Sequence, residues 1–391
     1  MITVKLAYRN LVGAGLRTWL NVVVLSLSFV VIIWTQGLLE GWNKQARRDM
    51  IEWEVGGGQY WHKSYDPYDP FTIQESHGVP PQPLKTGIKT GFLTPILIAQ
   101  ATIYPEGRMR SVLLKGIDPE QKILKIPSQY LRTNIEEIPA VIGTRMAKST
   151  RLKKGDFVTV RWREVSGTFD AAEAKIVYIM KTNVGTVDNG QMWVPLKRLR
   201  KMMQMKDEAT IIVADKNADV VGNTDGWMFK NQDYLLQEVT KLIKSKTAGS
   251  SVLYILLLFL AMLAIFDTQV FSIFRRRKEI GTLIALGMTR SQVIRLFTLE
   301  GAMHGVLAAL VAAVYGIPLL IFFAVKGFAM PKVADSYGLN IANRIFPSYS
   351  AGLILGTVAL VFITVTIVSF IPTRRISKLK PTDAIRGKIN Y

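Results

Sequence analysis

Arg275, Arg276, Arg277 and Lys278 stand in one unbroken cationic run, and Glu279 follows at once. Behind them come Ile280, Gly281, Leu283, Ile284, Ala285 and Leu286, with the apolar residues at helical spacing. Gly287, Met288 and Thr289 interrupt the pattern, and Val293, Ile294, Leu296 and Phe297 resume it. Arginine and lysine beside a long apolar segment pin that end at a cytoplasmic surface. The chemistry open to this stretch is electrostatic and mechanical. A short amphipathic helix between two apolar runs can pass force from a cytoplasmic partner into a membrane.

Catalytic arrangements are sparse. Of three histidines, His62 and His77 fall in a loop region and His304 in an apolar run, and there is no cysteine. A zinc site would need carboxylates around the two loop histidines. Glu75-Ser76-His77 is a hydrolase-like triplet without further support. Residues 143–149, from Gly143 through Lys148 to Ser149, resemble half of a phosphate loop, but no glycine precedes the lysine, so the backbone cannot wrap a phosphate. The reading is of a chain that is not itself an enzyme and holds no cofactor or metal.

Two further sets of residues sit within the apolar runs. Asp267 is an ionisable group inside one of them, a costly placement that is often functional. It lies about two turns from the basic end, within reach of water or Arg275, so structural pairing and a substrate or coupling role both stay open. Gly301 with Gly305, and Gly352 with Gly356, are small-xxx-small pairs that permit close helix approach, either within one subunit or across a dimer.

These residues are positioned by four runs, at 19–39, 252–274, 302–325 and 351–371, each reaching the roughly 20 residues that cross a bilayer core. Lys and Arg are concentrated before the first run, between the second and third, and after the fourth. Both termini and the loop at 275–300 are therefore expected in the cytoplasm, and residues 41–250 outside. That asymmetry accounts for much of the formal charge of +20 over 391 residues and argues against nucleic acid. The outer stretch is also basic, which suits anionic lipid headgroups or an acidic partner. Without disulfides it must fold on its own core. The first run is too long for a cleaved signal peptide and reads as a permanent anchor.

Residues 3–16 read as a short interfacial helix. The outer domain reads as mixed α and β. A helix continues over 41–52, a strand kinked by Gly56, Gly57 and Gly58 covers 54–61, and a loop rich in Pro and aromatics covers 64–83. Strands are expected at 95–104, 109–116, 157–162, 174–180 and 209–214, with a strand turning into a helix over 193–203. A helix over 233–244 feeds the second run.

Several motifs together resemble the permease subunits of the FtsX-like, MacB-like and LolC/E-like (type VII) group of ABC transporters. They are Leu6 to Leu11 with Arg17 and Thr18; Arg276 to Leu283 with Ala285 to Thr289; and Pro372 to Arg375 with Pro381 to Arg386. Gly116 to Glu120, Val141 to Leu152, Lys154 to Asp156 and Asp188 to Leu196 are similar to its lipoprotein-releasing branch. Residues 64–89 fit no such pattern.

The resemblance implies an integral membrane α-helical fold with four transmembrane helices and a large α/β (α+β) periplasmic domain between the first and second. The chain then divides into a cytoplasmic N-terminal helix (1–17), spans at 18–40, 251–274, 301–325 and 351–371, and a periplasmic core domain (41–250). A cytoplasmic loop with a coupling helix (275–300), a periplasmic loop (326–350) and a cytoplasmic tail (372–391) complete it. It implies residence in the bacterial inner membrane and pairing with a second permease, identical or not. A cytoplasmic ABC ATPase dimer would carry the ATP and Mg. The segment from Arg276 to Thr289 would transmit ATPase closure to the periplasmic side, where a lipoprotein or a periplasmic carrier is handled. Export of macrolide-like or peptide substrates, or signalling to a cell-wall hydrolase, are the alternatives within the group.

Overall fold

A computed structural model describes residues 16–329 and 344–374. The interfacial helix expected at 3–16 and most of the tail at 372–391 lie outside the described residues. In chain order, helix α1 (Leu16–Met50) runs into a π-helical turn (Ile51–Val55), followed by β1 (Gly58–His62), α2 (Gln82–Lys89), β2 (Leu93–Ile103) and β3 (Arg110–Ile117). Next come β4 (Ile138–Gly143), α3 (Thr144–Thr150), β5 (Phe157–Arg163), β6 (Phe169–Met180), β7 (Gln191–Pro195), α4 (Leu196–Met202), β8 (Ile211–Ala214) and β9 (Trp227–Asn231). The chain closes with α5 (Gln237–Arg275), α6 (Arg277–Ala285), α7 (Arg290–Lys326), a two-residue hairpin pair β10 (Phe328–Ala329) and β11 (Arg344–Ile345), and α8 (Ala351–Thr373).

The chain forms two compact units, one of residues 1–43, 243–330 and 344–391, the other of residues 44–242 and 331–343. Among the described residues, four stretches are long and apolar enough to cross a membrane: Trp19–Val55, Tyr254–Arg275, Arg290–Lys326 and Ala351–Thr373. At 1.5 Å per residue, the 37 residues of α7 extend about 55 Å, well beyond a hydrocarbon core of about 30 Å. The unit's core joins Val22, Leu25 and Phe29 of α1, Ile265 of α5, Ala308 and Ala312 of α7, and Val361 and Val365 of α8. Apolar side chains also cover the outside, among them Leu310, Val314 and Leu355, as expected of helices whose solvent is lipid.

Two glycines that the sequence reading passed over shape this unit. Gly37 and Gly41 form a further small-xxx-small pair on α1, and a Cβ at either would collide with Tyr349 or with the backbone of Phe346. Their bare backbone lets the segment before α8 lie against α1.

In the sheet-rich unit, nine strands run in the order β3-β7-β4-β6-β5-β2-β8-β1-β9, and β3 also pairs with β2. The six strands β2, β3, β7, β4, β6 and β5 therefore close into a ring, with parallel pairing at β3–β7 and β4–β6. Alternate side chains point to opposite faces of a strand. One set, including Leu97, Ile103, Val160, Trp162 and Ile142, builds one core with Leu199 and Met202 of α4. The other set, including Ile96, Ile98, Val141 and Trp193, builds a second. Trp162 Nε1 donates to the Met202 carbonyl at 2.9 Å, tying strand to helix inside the first core. The first half of β2 pairs with β8, which carries β1 and β9 outward over a third cluster around Tyr60, Leu84 and Trp227.

The strand expected at 54–61 is a π-helical turn followed by β1, and β4 and β9 were not anticipated. Helix α1 continues to Met50, in line with the helical reading of 41–52. The strand-to-helix switch falls at Pro195, whose fixed φ suits the start of α4.

Candidate functional site

Helix α5 ends at Arg275, and one non-helical residue, Arg276 (φ −99°, ψ 16°), separates it from α6. The expected coupling helix over Arg276 to Thr289 is thus shorter. Its helical part is Arg277–Ala285, Arg276 is the joint before it, and Leu286, Gly287 and Met288 form the turn after it. Gly287 has φ +99°, a region glycine enters without steric cost. Thr289 then starts α7 through a capping box: its Oγ1 accepts from Gln292 N at 3.3 Å, and Gln292 Oε1 accepts from Thr289 N at 2.9 Å.

The segment has two faces. Ile280 is fully buried and packs with Ile273 of α5 and with Val293 and Phe297 of α7; Leu283, Ile284 and Met288 complete this small core. Gly281 is buried beside Ile280. Lys278, Thr282, Ala285, Leu286, Gly287 and Thr289 are exposed, and Leu286 is 79% exposed. Arg277 opens α6.

Arg276 fixes the root of this helix. Its Nε donates to Glu279 Oε2 at 2.7 Å and its Nη2 to Glu279 Oε1 at 2.6 Å. Its Nη1 donates to both carboxylate oxygens of Glu300 at 2.9 and 3.0 Å. The guanidinium also lies 4.8 Å from the ring centroid of Phe297. Glu300 is only 6% exposed, where an ionised carboxylate without a partner would cost several kcal/mol. The planar fork of arginine meets one carboxylate with two parallel hydrogen bonds while its remaining nitrogen serves a second, a geometry that the lysine ammonium does not reproduce. The hydrogen bonds that Arg276 donates to Glu279 raise the Arg276 pKa, and the same contact lowers that of Glu279.

Sequence reasoning singled out Arg276 and Glu279 but missed Glu300 and Phe297 as their partners. The available signal was their register: Val293, Phe297 and Glu300 recur at helical spacing on one face of α7, so the acid shares the buried stripe.

Other singled-out residues fall elsewhere. Asp267 lies on an exposed face of α5, and of the readings left open for it, an ion pair with Arg275 is not formed among the described residues. Gly301 is buried where a Cβ would collide with the Ser369 side chain of α8 and come within 2.9 Å of Gln269 Nε2, and Gly305 faces Val365. Gly352 and Gly356 are exposed, with no atom within 4 Å of a Cβ placed there.

In the sheet-rich unit, His77 Nδ1 contacts the Glu208 carboxylate. Ser76 Oγ donates to the carbonyls of Ser64 (2.9 Å) and Thr72, so it staples a loop. At residues 143–149, Asp188 occupies the start of α3. Its Oδ1 accepts from Arg145 N at 3.2 Å, and burial raises its pKa. Among the described residues no cluster of His, Asp and Glu could hold a metal.

Residues 251–381, which include α6 and its joint, match the FtsX-like permease C-terminal family. Over those residues the chain is similar to an FtsX-like permease domain. The kinship read from the motifs at Arg276 to Thr289 is therefore borne out. The chain is 24% identical over 335 residues to the lipoprotein-releasing system transmembrane protein LolC of Neisseria meningitidis, covering 75% of this chain and 77% of that one. It is 26% identical over 167 residues to an uncharacterized ABC transporter permease of Methanocaldococcus jannaschii, covering 41% of this chain and 39% of that one. It is 24% identical over 226 residues to the macrolide export ATP-binding/permease protein MacB of Burkholderia cenocepacia, covering 52% of this chain and 30% of that one. The FtsX-like domain and the four apolar helices fit a membrane protein of the permease class.

Proposed function

We propose that the chain is the membrane-spanning permease subunit of an ABC transporter that releases or traffics lipoproteins from the bacterial inner membrane. Both termini and α6 face the cytoplasm, and the sheet-rich unit faces the periplasm. A separate cytoplasmic ATPase pair binds ATP and Mg, and a second permease, identical or related, completes the complex. ATP-driven closure of the ATPases pushes on α6, and α5 and α7 carry the displacement through the membrane. The extracted lipoprotein or its carrier meets the periplasmic unit.

One observation carries this reading: α6 is anchored on its inner face by Ile280 and at its root by Arg276, while Leu286 stands out from the turn that follows. The similarity to LolC over 75% of the chain supports a lipoprotein cargo. The similarity to MacB over 52% of the chain supports the second reading, export of a macrolide-like or peptide substrate by the same stroke.

The test is retention of an ABC ATPase by the full-length permease purified from native membranes. Leu286→Asp should abolish that retention while leaving permease abundance unchanged. An ATPase held equally well by Leu286→Asp overturns the coupling role of this segment.

A further inference from the structure

We propose that Glu300 is a positioning residue that sets the angle of the coupling helix, acting through the guanidinium of Arg276. The functional meaning of this joint rests on the coupling role proposed above; its geometry does not. Arg276 is the only non-helical residue between α5 and α6, so the backbone has one place to bend. At that place the main chain alone leaves the direction of α6 weakly specified. Arg276 N still bonds the Ser272 carbonyl at 3.0 Å, and Ile280 N bonds the Arg276 carbonyl at 2.9 Å, so the break is a swivel between two intact helices.

The Arg276 side chain removes this freedom. Through Glu279 it grips the first turn of α6, and through Glu300 it grips α7 ten residues beyond that helix's start. Phe297, one turn before Glu300, supplies a ring against the guanidinium. Three helices thus meet at one planar group whose donors are aimed in fixed directions. A displacement of α6 must carry α7 with it or break a charge-assisted contact to a carboxylate that is almost wholly buried. The polar neighbourhood on α7 extends inward: His304 Nδ1 lies 3.0 Å from the Glu300 carbonyl, and Thr298 Oγ1 lies 3.0 Å from Thr373 Oγ1 of α8.

The chain has no cysteine, so the helix angle can be read directly. Nitroxide labels are placed at Thr282→Cys on α6 and Ile371→Cys on α8, both exposed positions. Their distance distribution is measured by double electron–electron resonance on the full-length permease in lipid nanodiscs, without any ATPase. The native joint should give one narrow distance. Glu300→Gln should lose that single peak, giving a broad or split distribution, and Glu300→Asp should keep it. Arg276→Lys, which retains the charge but not the fork, should broaden it as well and serves if Glu300→Gln does not insert. A narrow, unshifted peak in Glu300→Gln, or in Arg276→Lys where Glu300→Gln cannot be prepared, overturns the proposal. So does a thermal unfolding midpoint that falls equally in Glu300→Gln and Glu300→Asp with both distributions broadened, because that marks general loosening. This measurement needs no partner, so its failure removes the joint and leaves the coupling reading standing. Retention of the ATPase by Leu286→Asp does the reverse.

Discussion

Lys115 Nζ lies 3.3 Å from Glu54 Oε1, with 7% and 21% of the two side chains exposed. Glu54 sits in the π-helical turn that ends α1, and Lys115 on β3. Thr186 Oγ1 donates to Glu54 Oε2 at 2.7 Å, Lys115 lies 5.3 Å from the Trp193 ring centroid, and Lys125 Nζ lies 2.7 Å from Glu52. Within the sheet-rich unit, residues 51–55 are thus fastened to strand β3 by the largely buried pair of Glu54 and Lys115.

Removing one partner of that pair should destabilise the unit. Lys115→Met strands the Glu54 carboxylate, and because Glu54 retains some solvent the cost should be about 2–3 kcal/mol, below the full buried-pair range. Glu54→Gln combined with Lys115→Met should recover most of it. Thermal unfolding of the detergent-solubilised protein reads both. An additive double variant would refute a direct coupling between the two residues.

The glycine pairs should separate by position. Gly301→Val drives a side chain into Ser369 and Gln269 and should cost about 1–3 kcal/mol through overpacking. Gly352→Ala and Gly356→Ala meet nothing within 4 Å in this chain and should leave its unfolding midpoint in place. Equal effects from Gly301 and Gly356 would contradict the packing of α7 on α8.

The contact between Arg276 and Glu279 carries a pH signature. Glu279 accepts two hydrogen bonds from Arg276, which lower its pKa below the ordinary 4.5. A carboxylate depressed in the folded state contributes its stability above the unfolded value and loses it as pH falls through the folded one. A spin label at Thr282→Cys should therefore keep constant mobility from neutral pH down to about 4.5 and become more mobile below it. Loosening that sets in well above that value would assign it to another group.

Much of the architecture was legible because its signals are local. The four apolar runs needed only composition and length, and β5 shows clean alternation, with Val158, Val160 and Trp162 buried between exposed neighbours. What escaped depends on distant partners. Glu54 and Val55, read as the start of a strand, instead close the helix expected up to residue 52, and Glu54 is matched by Lys115 far along the chain. Strand β4 is buried on both faces, so it has no alternation to read, and it contains Pro139. Strand β9 lies against β1 at the sheet's edge, and the signal that could have found it is the Asp225-Gly226 turn before it, where Thr224 and Trp227 exchange backbone hydrogen bonds and Gly226 has φ +73°. At the coupling segment the cations and the apolar face were visible, but the bond from Arg276 to Glu300 spans 24 residues and appears only once α7 folds back.

The central claim is that α6 and the sheet-rich unit work on opposite sides of a membrane. Met109 is 74% and Leu286 79% exposed. With Met109→Cys and Leu286→Cys made separately in this cysteine-free chain, a membrane-impermeant maleimide is applied to intact spheroplasts and then to lysed ones. The account predicts labelling of Met109→Cys in intact spheroplasts and of Leu286→Cys only after lysis. Labelling of both positions from the same side would contradict it.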